Sequence, residues 1–178
     1  MYREILDFWF DELQPQQWWG KDEKLDLLIR ERFLNTYERA KYCELFAWRE
    51  ESEGRLAEIL VLDQFPRNMF RDTAQAFATD SLALGLAQEA VSTGADQQLS
   101  ATQRNFLYMP YMHSESLVVH EIAVDLFEKN DNESSYGYEL KHKQIIEQFG
   151  RYPHRNRILG RKSTAEEVEF LKQPGSGF

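Results

Sequence analysis

The sequence predicts an all-α fold made of antiparallel helix pairs. Apolar residues recur at helical spacing along most of the 178-residue chain. No sustained apolar/polar alternation and no Asn-Gly turn indicates a pair of strands. Helices of roughly 12 to 20 residues joined by short links are typical of antiparallel pairs. The length fits one domain, which we predict over residues 1–172, followed by a flexible tail at residues 173–178.

Apolar periodicity predicts the first three helices. The first covers residues 2–13, and the second is a long, charged helix over residues 21–50 that should break near Tyr42. The third, over residues 55–65 ("RLAEILVLDQF"), is apolar nearly all round, which is typical of a buried central helix. Pro66 is expected to end this third helix, because the residue before a proline disfavours helical backbone.

Capping signals and periodicity together predict five further helices. A Ser, Thr or Asp followed three residues later by Gln or Glu is a capping box, which marks a helix start. Gly150 suits the left-handed position after a helix, and Pro110 is expected to kink or end its helix. The five helices are 73–92 (capping box Asp72 and Gln75), 100–110 (Ser100 and Gln103), 117–129, 136–149 and 164–171 (Thr164 and Glu167).

Composition narrows the class of protein. The net charge of −9 argues against non-specific nucleic-acid binding. No apolar run approaches the roughly 20 residues that span a bilayer, and the opening "MYREILDFWFDEL" does not resemble a cleavable signal. We therefore expect a cytoplasmic protein without membrane contact. Cys43 has no partner for an internal disulfide, and its apolar neighbours predict a reduced cysteine in the core.

Two stretches repeat one polar pattern. "DQFPRNMFR" (63–71) and "EQFGRYPHRNRILGR" (147–161) each contain an acid, Gln-Phe, a proline, Arg-Asn and a further arginine. Guanidinium forks bind carboxylates or phosphates through two hydrogen bonds, and the free N–H groups of a following helix also attract anions. With Arg104, which precedes Tyr108 by one helical turn, the candidate ligand-binding residues are Arg67, Asn68, Arg71, Arg104, Arg151, Arg155, Asn156 and Arg161. Alternatively, these arginines bridge to Asp63, Asp80, Glu115 and Glu147 and tie helix ends together.

Charge is unevenly distributed. Residues 141–162 carry seven Lys or Arg and one acid on an otherwise acidic chain, which makes this segment a candidate site. A helical scaffold that grips an acidic peptide or protein through Arg155, Arg157 and Lys162 would use the same segment. RNA contact through this segment and Tyr152 is disfavoured by the net charge.

Four residues are candidates for acid/base chemistry: His113, His154, Asp63 and Glu115. Asp63 shares the apolar face of its helix with Ile59, so its charge needs a partner. Histidine titrates near neutrality without help. His113 and Glu115 follow Pro110 at a chain turn, where they could form a proton relay or a structural pair. Their spacing differs from the His-Glu-x-x-His zinc pattern, and we predict no metal site and no cofactor.

Six stretches resemble one known family. In order they are "ILDFWF", "LDQFPRNMFR", "AFATD", "YMPYMHSES", "FGRYPHRNRILGR" and "STAEEVEFL", and together they resemble the bacterial family called domain of unknown function 924, from about Ile5 to Leu171. The resemblance implies an all-helical, tetratricopeptide-like stack of antiparallel helical hairpins, although the tetratricopeptide consensus does not run through the chain. It implies no established activity, substrate or cofactor.

The leading hypothesis is one polar pocket that binds a small anion, either a phosphate or a carboxylate. It requires residues 63–71, 104–115 and 151–161 to converge in space. If they converge and every arginine is paired with an internal carboxylate, the motifs are structural instead.

Overall fold

The computed structural model describes residues 2–177, and within them every regular element is a helix. The all-α prediction is therefore confirmed. The α-helices are α1 (Tyr2–Leu6), α2 (Glu23–Lys41), α3 (Ser52–Met69), α4 (Asp80–Ser92), α5 (Ala101–Met112), α6 (Leu117–Lys129), α7 (Glu133–Phe149) and α8 (Ala165–Phe170). A π-helical segment, Asp7–Glu12, continues α1, and short 3-10 turns cover Pro15–Trp18, Phe46–Glu50, Ala74–Phe77, Ala95–Gln98 and Pro153–Arg155.

Helix α3 is the centre of the molecule, as its apolar composition predicts. It packs against α1, α2, α4 and α5, and most of its side chains are buried. The one buried carboxylate near its start, Glu58, is held by two hydrogen bonds of 2.7 Å from Arg49. Gly54 is required at the start of α3, because a Cβ there would overlap the carbonyl oxygen of Trp48.

Pro66 does not end α3, so that prediction is wrong. The helix continues to Met69 with Pro66 inside it. A proline has no N–H, which leaves the carbonyl of Leu62 without its helical donor. The Thr79 hydroxyl donates to that oxygen at 2.6 Å and replaces the missing bond. As a consequence Asp63 and Arg67 lie one helical turn apart on the same helix.

The predicted helix at residues 73–92 is also corrected. Asp72 does not cap it, because Asp72 itself has a left-handed backbone with a φ of 62°. A 3-10 turn, Ala74–Phe77, comes first, and α4 begins only at Asp80. The break places Phe77 and Asp80 beside the end of α3. The capping boxes at Ser100 and Thr164 form as predicted.

Four other local predictions have different outcomes. Gly150 ends α7 in the left-handed conformation with a φ of 67°, as predicted. Pro110 does not end α5, which continues to Met112.

The break near Tyr42 is confirmed, since α2 ends at Lys41. Cys43, however, is exposed and does not lie in the core as predicted. The turn places Cys43 at a φ of 57°, so the chain leaves the helix before this residue could pack inward.

Helices that are neighbours in sequence also pack together in space: α2 on α3, α3 on α4, α5 on α6, and α6 on α7. This arrangement suits helical hairpins, and the tetratricopeptide-like stacking stays a prediction. The boundary between domain and tail also stays a prediction, although the Ser176 hydroxyl donates to the carbonyl of Leu171 at 3.2 Å. No helix within residues 2–177 has the length and apolarity that crossing a membrane requires.

Candidate functional site

A cavity of about 290 Å³ opens where the start of α4, the end of α5 and the 153–159 segment meet. One half of its lining is polar: Asp80, Ser81, His113, Ser114, Glu115 and Arg155. The other half is apolar: Ala74, Phe77, Ala78, Leu84, Pro110 and Leu159. Three of the predicted site residues, His113, Glu115 and Arg155, therefore share one cavity.

His113 is held by a buried aspartate behind the cavity wall. Its Nδ1 lies 2.8 Å from Oδ1 of Asp63, which has no exposed surface. A carboxylate only accepts hydrogen bonds, so Nδ1 carries the proton and the lone pair of the neutral ring is on Nε2. Within residues 2–177 that Nε2 has no hydrogen-bond partner. His113 thus offers an oriented imidazole to the cavity.

The charges around His113 set its protonation and that of Asp63. Burial by itself favours the neutral carboxyl, but the positive charge of Arg67 and the contact with His113 outweigh it and lower the pKa of Asp63 to about 2. Burial and the nearby Arg67 lower the pKa of His113 below its ordinary value, despite the opposing effect of Asp63. At neutral pH the pair is therefore an ionised Asp63 and a neutral His113.

Asp80 is shared between two arginines. Arg67 donates to both of its oxygens at 3.0 Å and also lies 3.3 Å from Asp63. Arg155 reaches Asp80 with Nη1 alone, at 3.3 Å. Asp80 and Arg67 bind each other through two hydrogen bonds, whereas Arg155 makes a single long one.

Arg155 is the least satisfied of the predicted arginines. It is only 7% exposed, its Nε is buried without a partner, and its Nη2 has none within the described part of the chain. The guanidinium lies between two rings, 4.6 Å from the centroid of Phe77 and 4.6 Å from that of Tyr152. Burial and the charge of Arg67 lower the pKa of Arg155. A buried cation with unused N–H groups beside a cavity is suited to bind an anion.

Glu115, Arg161 and Asn156 form a closed polar cluster beside the cavity. Arg161 donates to the two Glu115 oxygens at 2.5 and 2.9 Å and to Asn156 Oδ1 at 2.9 Å. The Tyr152 N–H donates to Glu115 at 2.7 Å. Burial would raise the pKa of Glu115, but the hydrogen bond from Arg161 and the Tyr152 N–H lower it. This cluster ties the loop before α6 to the 151–161 segment.

Four other predicted ligand residues are engaged elsewhere and do not line the cavity. Asn68 and Arg71 both bond Asp26 of α2, the latter at 2.6 and 2.7 Å. Arg104 donates to Asn130 at 2.6 Å. Arg151 makes two bonds to Glu167, at 2.6 and 2.9 Å.

The alternative interpretation, in which arginines tie helix ends together, holds for most of the motif residues. It holds for the pairs with Asp63, Asp80 and Glu115, whereas Glu147 is paired with Lys143 instead. His154 packs against Tyr152, with 5.5 Å between ring centroids, and does not line the cavity. Burial and Arg155 lower the pKa of His154 to about 4.

Sequence reasoning missed a second buried histidine pair that supports the site. Nδ1 of His120 in α6 lies 2.6 Å from Glu139 in α7, and both side chains are fully buried. His120 Nε2 lies 2.9 Å from the carbonyl of Ser114, which only accepts, so Nε2 carries a proton. The 2.6 Å contact on the other side then requires a second proton, shared between His120 and Glu139. The pair is neutral overall and holds the loop that carries His113 and Glu115.

Tyr152 links this support to the cavity. Its hydroxyl donates to the carbonyl of Met112 at 2.5 Å and lies 3.1 Å from His120 Nε2, while its ring packs on Arg155. Neither His120 nor Glu139 belongs to a repeated motif. Their positions in α6 and α7 fit an ordinary amphipathic helix, so no sequence signal marked them. Phe77 and Asp80 carried a signal in "AFATD", because an aromatic and an acid follow the first arginine motif closely.

Within residues 2–177 no group of three or more His, Cys, Asp or Glu side chains could hold a metal ion.

A family model described as a bacterial protein of unknown function, DUF924, matches residues 5–175. A solved structure of a protein of unknown function, ATU0120 from Agrobacterium tumefaciens, is 40% identical and covers 97% of each chain, with a TM-score of 0.93. No curated protein matches the chain significantly. By the match over nearly its whole length, the chain belongs to the DUF924 family.

Proposed function

We propose that the cavity binds a small anionic metabolite through Arg155 and His113. The observation that carries this proposal is the state of Arg155: a buried guanidinium with one long ion pair, an unpartnered Nε and an unused Nη2 at a cavity wall. A cation in such surroundings is stabilised by an additional negative group, since it is desolvated and repelled by Arg67. A cavity of about 290 Å³ suits a small ligand.

His113 gives the bound ligand a proton acceptor. Asp63 orients the ring and stabilises a positive charge on it, while Nε2 has no partner among the described residues. This is the arrangement of an oriented acid/base residue, which can take up or release a proton at Nε2. It supports proton transfer at the ligand without naming a reaction.

A scaffold that binds an acidic peptide is the second candidate. Arg157 and Lys162 are exposed and make no ion pair with residues 2–177, so the basic segment keeps free charge at the surface. A cytoplasmic location suits either candidate.

Thermal unfolding across a panel of anions tests the first proposal. The panel contains phosphate, sulfate, short carboxylates and a sugar phosphate, each with the wild type, Arg155→Met and Arg151→Met. A ligand at 100 times its Kd stabilises the folded state by about 2.7 kcal/mol, a shift of several degrees at this chain length. We expect that shift in the wild type and in Arg151→Met, whose arginine bonds Glu167 away from the cavity, and not in Arg155→Met.

A panel in which all three proteins respond alike would contradict the proposal. Long acidic peptides can be tested in the same assay. If they alone stabilise the protein, and replacing Arg157 and Lys162 removes the effect, the scaffold is supported instead.

A further inference from the structure

We propose that the ligand is a small monocarboxylate with an apolar body, and that it binds together with one proton on His113. This inference rests on the proposed function and names the chemical class that the cavity accepts. It is drawn from the balance of charges around the cavity and from which polar atoms of the lining remain unused.

The charges around the cavity already balance. Three carboxylates (Asp63, Asp80 and Glu115) face three guanidiniums (Arg67, Arg155 and Arg161). Of the side chains that line the cavity, only His113 can add a positive charge without breaking an existing ion pair. A ligand with one negative charge is therefore neutralised when His113 takes up a proton. A phosphate monoester carries about −1.5 to −2 at pH 7 and would leave uncompensated charge in a buried site.

The polar atoms of the lining are mostly used. Asp80 is bonded by both arginines, and Glu115 is bonded by Arg161 and the Tyr152 N–H. The groups without a partner in the described chain are the Nε and Nη2 of Arg155, the Nε2 of His113 and the hydroxyls of Ser81 and Ser114. These suffice for one carboxylate. They leave few partners for the hydroxyl groups of a sugar, each of which would lose its water on binding.

The opposite half of the lining is apolar. Phe77, Leu84, Pro110 and Leu159 offer carbon surface and no side-chain hydrogen bonds. An aliphatic or aromatic body gains free energy by leaving water for such a wall, and a polyol does not. The carboxylate end at Arg155 and the apolar end at Leu84 together describe a short amphipathic acid.

Several groups besides Asp63 act on the proton of His113. These charged groups are Arg67 from α3, Asp80 from α4, and Glu115 and Arg155, which line the same cavity. His142 from α7 acts on His113 through its charge. Arg67 opposes protonation of His113, and the negative charge of a bound carboxylate would favour it. Proton uptake should therefore accompany binding.

Isothermal titration with hexanoate, hexanamide, inorganic phosphate and a hexose phosphate tests the inference. The titrations are run at pH 6, 7 and 8 in buffers of different ionisation enthalpy, which reports the number of protons taken up. We expect hexanoate to bind at least tenfold more tightly than either phosphate compound, with uptake of close to one proton at pH 8. Hexanoate affinity should fall as pH rises from 6 to 8, and the neutral hexanamide should not bind.

Two variants separate the parts of the inference. Leu84→Gln should weaken hexanoate at least fivefold and leave phosphate unaffected, while His113→Gln should abolish the proton uptake. The unfolding temperature of each variant shows that it is folded. If phosphate or hexose phosphate binds in a way that requires Arg155 and hexanoate does not bind, the monocarboxylate class is overturned. The proposed function would still hold. Hexanoate binding without proton uptake would overturn the role of His113. If none of the compounds shows binding that Arg155→Met abolishes, both the monocarboxylate class and the proposed function are overturned.

Discussion

At the scale of single residues, the site is an arrangement of charges that stabilise one another in a buried region. Asp63 has no exposed surface, yet it is ionised because Arg67 and His113 lie within 3.3 Å. An unpaired carboxylate at this depth would take up a proton instead. The ion pairs therefore fix the protonation states on which binding depends.

The acid dependence of stability follows from Asp63. Its folded pKa of about 2 lies below the roughly 3.9 of an unfolded aspartate, so it contributes stability above that value and loses it as pH falls toward 2. The contribution is on the order of 2 kcal/mol. Asp63→Asn, whose amide oxygen still accepts from His113, should destabilise the protein at pH 7, and the difference from wild type should narrow between pH 4 and pH 2.

Urea unfolding at pH 7, 5, 4 and 2.5 measures this difference. Asp26→Asn, which removes the charge of the partly buried Arg71–Asp26 pair, serves as the comparison. An Asp63→Asn deficit of the same size at every pH would refute the assignment of an ionised Asp63.

At the scale of elements, the main error of the sequence prediction has a clear physical cause. Pro66 was expected to end α3, because a proline removes a helical hydrogen bond. The Thr79 hydroxyl, just before α4 and 17 residues from Leu62, supplies that bond. A side chain so far along the sequence cannot be assigned as a donor from local patterns. The helix ends at Ser100, Thr164 and Gly150, which depend on local signals, were predicted correctly, whereas the capping box at Asp72 does not form.

Thr79→Val keeps the shape of the side chain and removes the donor. It leaves the buried Leu62 carbonyl unsatisfied, so we expect a loss of about 1–3 kcal/mol in the free energy of unfolding. Pro66→Ala restores the helical N–H to the same carbonyl. In that background Thr79→Val should lose clearly less stability, and a double-mutant cycle by urea unfolding measures the difference. Equal losses in both backgrounds would show that Thr79 does not substitute for the missing N–H.

The pairing of α6 with α7 depends on the proton shared by His120 and Glu139. Burial raises the pKa of Glu139, so its contribution to stability is present below its ordinary pKa and is lost as pH rises through the folded value. The Glu139→Gln amide can donate to a neutral His120, so it keeps a hydrogen bond without the extra proton.

We expect the advantage of wild type over Glu139→Gln in unfolding free energy to shrink as pH rises from 5 to 8. Glu139→Ala, which removes the bond altogether, should be the least stable of the three at every pH. Chemical unfolding at pH 5, 6, 7 and 8 checks both expectations. An advantage that grows with pH would mean that the pair does not hold an extra proton.

At the scale of the whole molecule, three arginines of the basic segment are neutralised by acids from elsewhere in the chain. Arg151, Arg155 and Arg161 pair with Glu167, Asp80 and Glu115, which come from other elements. The sequence located the segment and the acids, and it predicted the class of fold. It could not assign the partners, because Arg155 and Asp80 are 75 residues apart and meet only in the folded chain. For the same reason it could not separate Arg155, beside a cavity, from Arg151, in a closed pair.

The central claim is that an anion at Arg155 places a proton on His113. NMR titration of the four histidine rings, with and without saturating hexanoate or phosphate, tests it most directly. The account predicts that at least one of these anions raises the pKa of His113, that the pKa of His142 changes far less, and that Arg155→Met abolishes the change. A His113 titration unaffected by either anion, or one shifted equally in Arg155→Met, would contradict it.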